Sequence, residues 1–164
     1  MKKFLQIFSI VFQSVTFFLV ALLLIPQLLG WEQFTVLTGS MEPALPVGSL
    51  IVVRPVEKEN IAVGDIITFY ASGGNEVVTH RALEVTADSI ITQGDANNTP
   101  DPSPVNYNHI KGKLFVAIPL LGYLSLLISR VGVIPIIIIV LSVVALVQLL
   151  LHLIKSAQIP SKQE

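Results

Sequence analysis

The sequence contains no cysteine, which excludes disulfides, thiolate metal sites and a thiol nucleophile. Charge is scarce as well. Asp, Glu, Lys and Arg make up 13% of the 164 residues, and the formal net charge is −1, whereas a soluble domain carries about a quarter charged residues. So small a net charge offers no basic field for nucleic acid and no acidic tail. No internal repeat recurs, and between the two ends no helical period of useful length appears.

What the chain has in excess is apolar side chains, at 52% of residues and a mean hydropathy of +0.75, concentrated at the two ends. The first run extends without a charge from Phe4 to Trp31, and Glu32 ends it. At 1.5 Å per residue it is long enough to cross ~30 Å of hydrocarbon. Lys2 and Lys3 precede it in the manner of a secretory signal, but the run is too long for such a segment and lacks an A-x-A exit. Residues 4–30 are therefore predicted to be an uncleaved membrane anchor. A second run, 131–154, lies between Arg130 and Lys155 and is predicted to be another span. Between them, Leu114 to Ser129 is also uncharged but carries Pro119 and Gly122. It reads as a strand followed by an interfacial apolar patch. Lys2 and Lys3 against Glu32 predict a cytoplasmic N-terminus (1–3), an extracytoplasmic middle (31–129) and a cytoplasmic tail (155–164).

The middle changes character. SLIVVRPV (49–56), DIITFYAS (65–72), EVVTHRALEVT (76–86), SIITQ (89–93) and HIKGKLFVAIP (109–119) are rich in Val, Ile, Thr and aromatics, the composition of strands. SGGN (72–75) is a hairpin-type connector. The fold class predicted is mainly β: a small antiparallel β domain, barrel-like, flanked by two transmembrane helices. Within EVVTHRALEVT, period-2 alternation puts Val78, His80 and Ala82 on one face, so His80 is expected among small and apolar residues.

Three clusters hold residue types that do chemistry. TGSMEP (38–43) presents a serine hydroxyl in a turn, with Gly39 for close backbone approach and Pro43 stiffening the exit. A nucleophilic serine needs an exposed Oγ, a base and donors for an oxyanion, although Gly-Ser is also common in plain loops. Thr79-His80-Arg81 supplies an imidazole, the side chain best suited to proton transfer near neutral pH, although an isolated histidine is often structural. QGDANNTPDPSP (93–104) crowds Asp95, Asn97, Asn98 and Asp101 among prolines, as a solvated turn also would. A calcium loop fails there, since Pro100 stands where glycine is required and Asn106 where the bidentate glutamate belongs. Asn97-Asn98-Thr99 fits a glycosylation sequon, a pattern short enough to occur by chance. A carboxylate in this loop has another use, orienting His80 as the third member of a triad. Ser, His and Asp in that order on one short membrane-linked chain share a purpose more readily than they coincide.

Taken together these segments resemble the type I signal peptidases, specifically the Ser-His branch of the endoplasmic reticulum, archaea and some Gram-positive bacteria. The likeness covers roughly residues 37–122: TGSMEPALPVGSLIVV resembles the nucleophile box, VGDIITF (63–69) the following strand, and VTHRALEV (78–85) the general-base box. TQGDANNTPDP (92–102) resembles the aspartate box and GKLFVAIPLLGYL (112–124) the last.

The resemblance implies a membrane-bound serine endopeptidase that removes signal peptides from exported preproteins. Ser40 would be its nucleophile, His80 its general base and Asp101 its acidic partner, with Asp95 a second important acid. Thr38 and the Ser40 amide would form the oxyanion hole. Which aspartate pairs with His80 is left open, with spacing favouring Asp101. Common bacterial relatives use lysine where His80 stands, and lowering a lysine pKa by two or three units costs ~3–4 kcal/mol that a histidine avoids. Two departures stand out: Thr38 replaces the more usual serine, keeping the hydroxyl, and Ser49 stands where the family usually has aspartate. No cofactor and no metal are implied. The implied partners are signal peptides of secretory preproteins and membrane lipid, without nucleic acid, and the location is the plasma membrane, multi-pass. The competing reading is an inactive membrane-tethered β domain serving binding or assembly. A soluble repressor-cleaving peptidase is disfavoured by the two spans and by the missing lysine base.

Overall fold

The computed structural model describes residues 2–71, 74–131 and 140–149. Residues 25–127 form one compact unit, and the described residues outside that range fall in another.

The first apolar run is a single helix, α1 (Lys2–Leu28). Among the described residues it contains the one stretch long and apolar enough to cross a membrane, Ile7–Leu28, with a mean hydropathy of 2.4. Three of its polar side chains bond within the helix: Gln13 Nε2 donates to Ser9 Oγ at 3.1 Å, and Thr16 Oγ1 to the Phe12 carbonyl at 2.9 Å. A helix in hydrocarbon must satisfy its polar groups in this way. The second expected span, 131–154, lies largely outside the described residues. Its described residues include the apolar helical stretch Val140–Leu149. Two transmembrane helices are therefore not established.

Residues 25–127 are built on one antiparallel sheet of seven strands. In chain order these are β1 (Glu32–Thr35), β2 (Leu50–Arg54), β3 (Ile66–Tyr70), β4 (Val77–Val85), β5 (Ser89–Gln93), β6 (Val105–Asn106) and β7 (Ile110–Ile118). Across the sheet the order is β1-β2-β7-β3-β4-β5-β6. All five strands read from the sequence are present. β2 is the most interior of them: Leu50, Ile51, Val52 and Val53 are all buried, as an uninterrupted apolar run requires when both faces are covered. β3 and β4 form the expected hairpin, with Ile67 opposite His80 and Phe69 opposite Val78. Ser72 and Gly73 of its connector lie outside the described residues.

In Leu114 to Ser129 the expected strand is present and ends at Ile118. The apolar patch after it is a helix, α2 (Leu121–Val131), where the sequence shows no helical period. Gly122, which reads as a breaker, is instead where the helix seats. Its amide bonds to the Gly48 carbonyl at 2.9 Å, and a Cβ there would lie 2.7 Å from the Gly48 and Ser49 carbonyl oxygens. Gly48 in turn has φ +83 and no room for a Cβ against the Tyr123 ring. The patch is nonetheless real in its chemistry, because Phe115, Leu120, Tyr123 and Leu127 are exposed.

Two core clusters support the strand and the turn that carry the site. One joins Ile67, Phe69, Ala82, Ile90 and Val105, with Val78 against it. The other joins Met41, Leu45, Ile51 and Val53.

Candidate active site

TGSMEP forms a single 3-10 turn, Gly39–Met41. Its hold on the domain is hydrophobic: Met41 and Leu45 are each 2% exposed, and burying two such side chains contributes about 3–6 kcal/mol. That exceeds what one capping bond supplies. Indeed Thr38, at the cap position, makes no side-chain capping bond. Its hydroxyl lies instead 3.5 Å from Ser40 Oγ, close by but too far for a strong hydrogen bond.

His80 projects from β4 and is buried, with the Phe69 ring steeply inclined to its imidazole at 6.4 Å between centroids. The alternation read from the sequence is kept, with Ala82 fully buried on the same face. What the strand alone does not show is a carboxylate reaching that face from the loop after β5. Asp101 Oδ2 is 2.6 Å from His80 Nδ1, and His80 Nε2 is 3.2 Å from Ser40 Oγ. A neutral imidazole that donates from Nδ1 to a carboxylate presents a lone pair at Nε2, the arrangement needed to accept a proton from the serine. The 3.2 Å contact is at the loose end of hydrogen bonding, as is common before substrate binds.

Of the residues singled out in the sequence, Ser40, His80 and Asp101 are thus contiguous and Thr38 borders them. Asp95 is not in contact with His80. Its two oxygens accept from Arg81 Nε at 2.8 Å and Nη2 at 2.6 Å, while Arg81 Nη1 donates to the Gly64 carbonyl at 2.7 Å. The hydrogen bond to Asp95 holds the Arg81 guanidinium above its ordinary pKa. Ser49, where the resemblance leads one to expect aspartate, is fully buried and donates to the Pro46 carbonyl at 2.6 Å.

The Asp95 loop also presses on the serine turn. The Ala96 amide donates to the Ser40 carbonyl at 2.8 Å, and a Cβ on Gly94 would lie 2.6 Å from that same oxygen. Because the obstacle is backbone, it has no rotamer to move to. Gly94→Ala should lower stability by about 1–3 kcal/mol, seen as a lower midpoint of thermal unfolding. An unchanged midpoint would mean that the loop does not bear on the turn.

Two groups escape a reading of sequence. One is Gly94, whose role is to be absent at Cβ. The other is Thr92 on β5, fully buried, whose Oγ1 donates to Asp101 Oδ2 at 2.6 Å. A signal for it exists: alternation along SIITQ puts Thr92 on the inward face with Ile90, a polar residue where the core expects an aliphatic one.

The site opens into a cleft of about 660 Å³, lined among others by Val36, Leu37 and Thr38 and by Val77, Val78 and Thr79. That is large enough for several residues of an extended peptide. Residues 9–96, more than half of the chain, match the family described as signal peptidase, peptidase S26. The chain belongs to the S26 signal peptidase family. Among its relatives, Signal peptidase I W of Bacillus subtilis is 36% identical over 93 residues, covering 54% of this chain and 48% of that protein. The signal peptidase complex catalytic subunit sec11 of Neurospora crassa is 33% identical over 108 residues, covering 58% of this chain and 62% of the relative. The corresponding SEC11 subunit of Metarhizium acridum is 32% identical over 108 residues, with the same coverage. The chain thus spans about half to three-fifths of the length of these relatives.

Proposed function

We propose that this protein is a membrane-bound serine endopeptidase that removes N-terminal signal peptides from exported preproteins. The observation that carries the reading is the unbroken series from Ser40 Oγ through His80 to Asp101, at 3.2 and 2.6 Å, on the wall of a peptide-sized cleft. A β domain kept only for binding has no use for that alignment. Family membership supports the substrate class.

In this mechanism Ser40 Oγ attacks the scissile carbonyl while its proton passes to His80 Nε2. The Asp101 carboxylate holds Nδ1–H and stabilises the imidazolium that forms. Thr38 Oγ1 and the Ser40 amide donate to the oxyanion, each donor contributing ~3–4 kcal/mol to the barrier reduction. The C–N bond then breaks, and the leaving amine takes the proton from His80. Water, deprotonated by the same imidazole, attacks the acyl-enzyme; the C–Oγ bond breaks, and His80 returns the proton to Ser40 Oγ. Asp95 acts at one remove in this scheme, through Arg81 and the loop that bonds Ser40.

The membrane assignment draws on α1, which includes Lys2 and Lys3 at its start and ends shortly before the serine turn in sequence, and on the exposed apolar residues Phe115, Leu120 and Tyr123. Those residues suit a lipid surface, where a signal peptide's cleavage site emerges from the bilayer. The finer proposal is a multi-pass plasma-membrane protein with residues 31–129 on the extracytoplasmic face, 131–154 as a second span and 155–164 in the cytoplasm. Relatives named as complex subunits raise the proposal that this chain too works with partner subunits. Incubating the full chain in detergent with a purified preprotein tests the function. One cut at the end of the signal segment is expected, after small residues at the −1 and −3 positions. No cut, or cuts scattered through the mature part, would overturn it.

A further inference from the structure

We propose that Thr92 is a positioning residue for the acyl-transfer chemistry, acting through Asp101; the inference rests on the function proposed above. The Asp101 Oδ2 atom receives two short contacts, from His80 Nδ1 and from Thr92 Oγ1, both at 2.6 Å. The main chain is tied at the same place, since the Asp101 amide donates to the Thr92 carbonyl at 2.8 Å. Thr92 therefore fixes Asp101 twice, through backbone and through side chain.

The chemistry explains why a hydroxyl stands here. Thr92 is fully buried on β5, on the same face as the core residue Ile90, and a buried hydroxyl is costly unless it is bonded. Valine would fill the same space in a strand at no such cost. The hydroxyl's bond goes to the one carboxylate oxygen that orients the base. A carboxylate held by the imidazole alone can turn about its last torsion, which is broad and roughly two-fold. With a second donor converging on the same oxygen, turning breaks two bonds together. The Nδ1–H direction is thereby held, and with it the Nε2 lone pair aimed at Ser40 Oγ.

The test compares Thr92→Val, which keeps the shape and removes the donor, with Thr92→Ser, which keeps the donor and removes a methyl group. In preprotein cleavage, Thr92→Val should lower kcat about ten- to a hundredfold, the range expected for a hydrogen bond to a charged group. KM should hardly change, and Thr92→Ser should recover most of the loss. Wild-type kcat in Thr92→Val, or a Thr92→Ser as impaired as Thr92→Val, would overturn the inference. A second readout needs no turnover: the Nδ1 proton resonance of His80 in the histidine-labelled full chain should move in Thr92→Val and return in Thr92→Ser. An unmoved resonance would also overturn it. If the wild type cleaves no preprotein, the functional reading fails by itself, and the resonance still decides whether Thr92 holds the pair.

Discussion

His80→Ala should abolish preprotein cleavage, with a fall in kcat of about 10⁴- to 10⁶-fold. The size follows from the geometry. Among the described residues, His80 Nε2 is the base within reach of Ser40 Oγ, at 3.2 Å. A serine hydroxyl without a base is a poor nucleophile near neutral pH. The fold should survive, because the imidazole contributes one ring beside a cluster whose core residues Ile67, Phe69 and Ala82 remain. Lysine does not substitute for free: buried beside Phe69 and Asp101 it would have to lose its charge to act as a base, against a neighbouring carboxylate that favours the charged form. His80→Lys is therefore expected to stay inactive although other members of the family use lysine.

Asp101→Asn should cost nearly as much, about 10⁴-fold in kcat, whereas Asp95→Asn should cost far less. The carboxylate at 2.6 Å accepts from Nδ1–H and from Thr92 Oγ1. An amide in its place can present its NH₂ to the ring, favouring the tautomer with the proton on Nε2, which cannot accept from Ser40. Asp95 pairs with Arg81 instead. Its loss loosens the fork that braces the Gly94–Asn97 loop, so stability should suffer more than chemistry. Kinetics and thermal unfolding of the two variants side by side check the contrast. Equal losses of kcat with unchanged stability would dissolve the distinction between the two acids.

Much of this arrangement is legible in the sequence. The strands declare themselves because runs such as LIVVR and IITFY combine β-branched residues with turn residues on either side. Ser40, His80 and Asp101 stand out by residue type and order. Four features are not legible, each for a physical reason. β1 (EQFT) and β6 (VN) are too short and too polar to show a period, and they exist because β2 and β5 offer free edges to pair with. α2 is hidden by the apolar background around it and by Gly122, which reads as a breaker where it is a close-contact residue. The division of labour between Asp95 and Asp101 depends on how the loop after β5 folds back. Spacing favours Asp101 for the imidazole, but that Asp95 is taken by Arg81, the residue following His80, no spacing rule states. Thr92 escapes notice because attention to acids and bases passes over a hydroxyl inside a strand.

The central claim is that Ser40 is the nucleophile of a signal-peptide-removing enzyme. The most direct measurement is the extent of preprotein cleavage by the purified full chain and by Ser40→Ala, in the same detergent and at equal protein concentration. The wild type should release the mature protein through a single cut, and Ser40→Ala should release none while unfolding at the same temperature. Cleavage by Ser40→Ala at the wild-type rate would contradict the account.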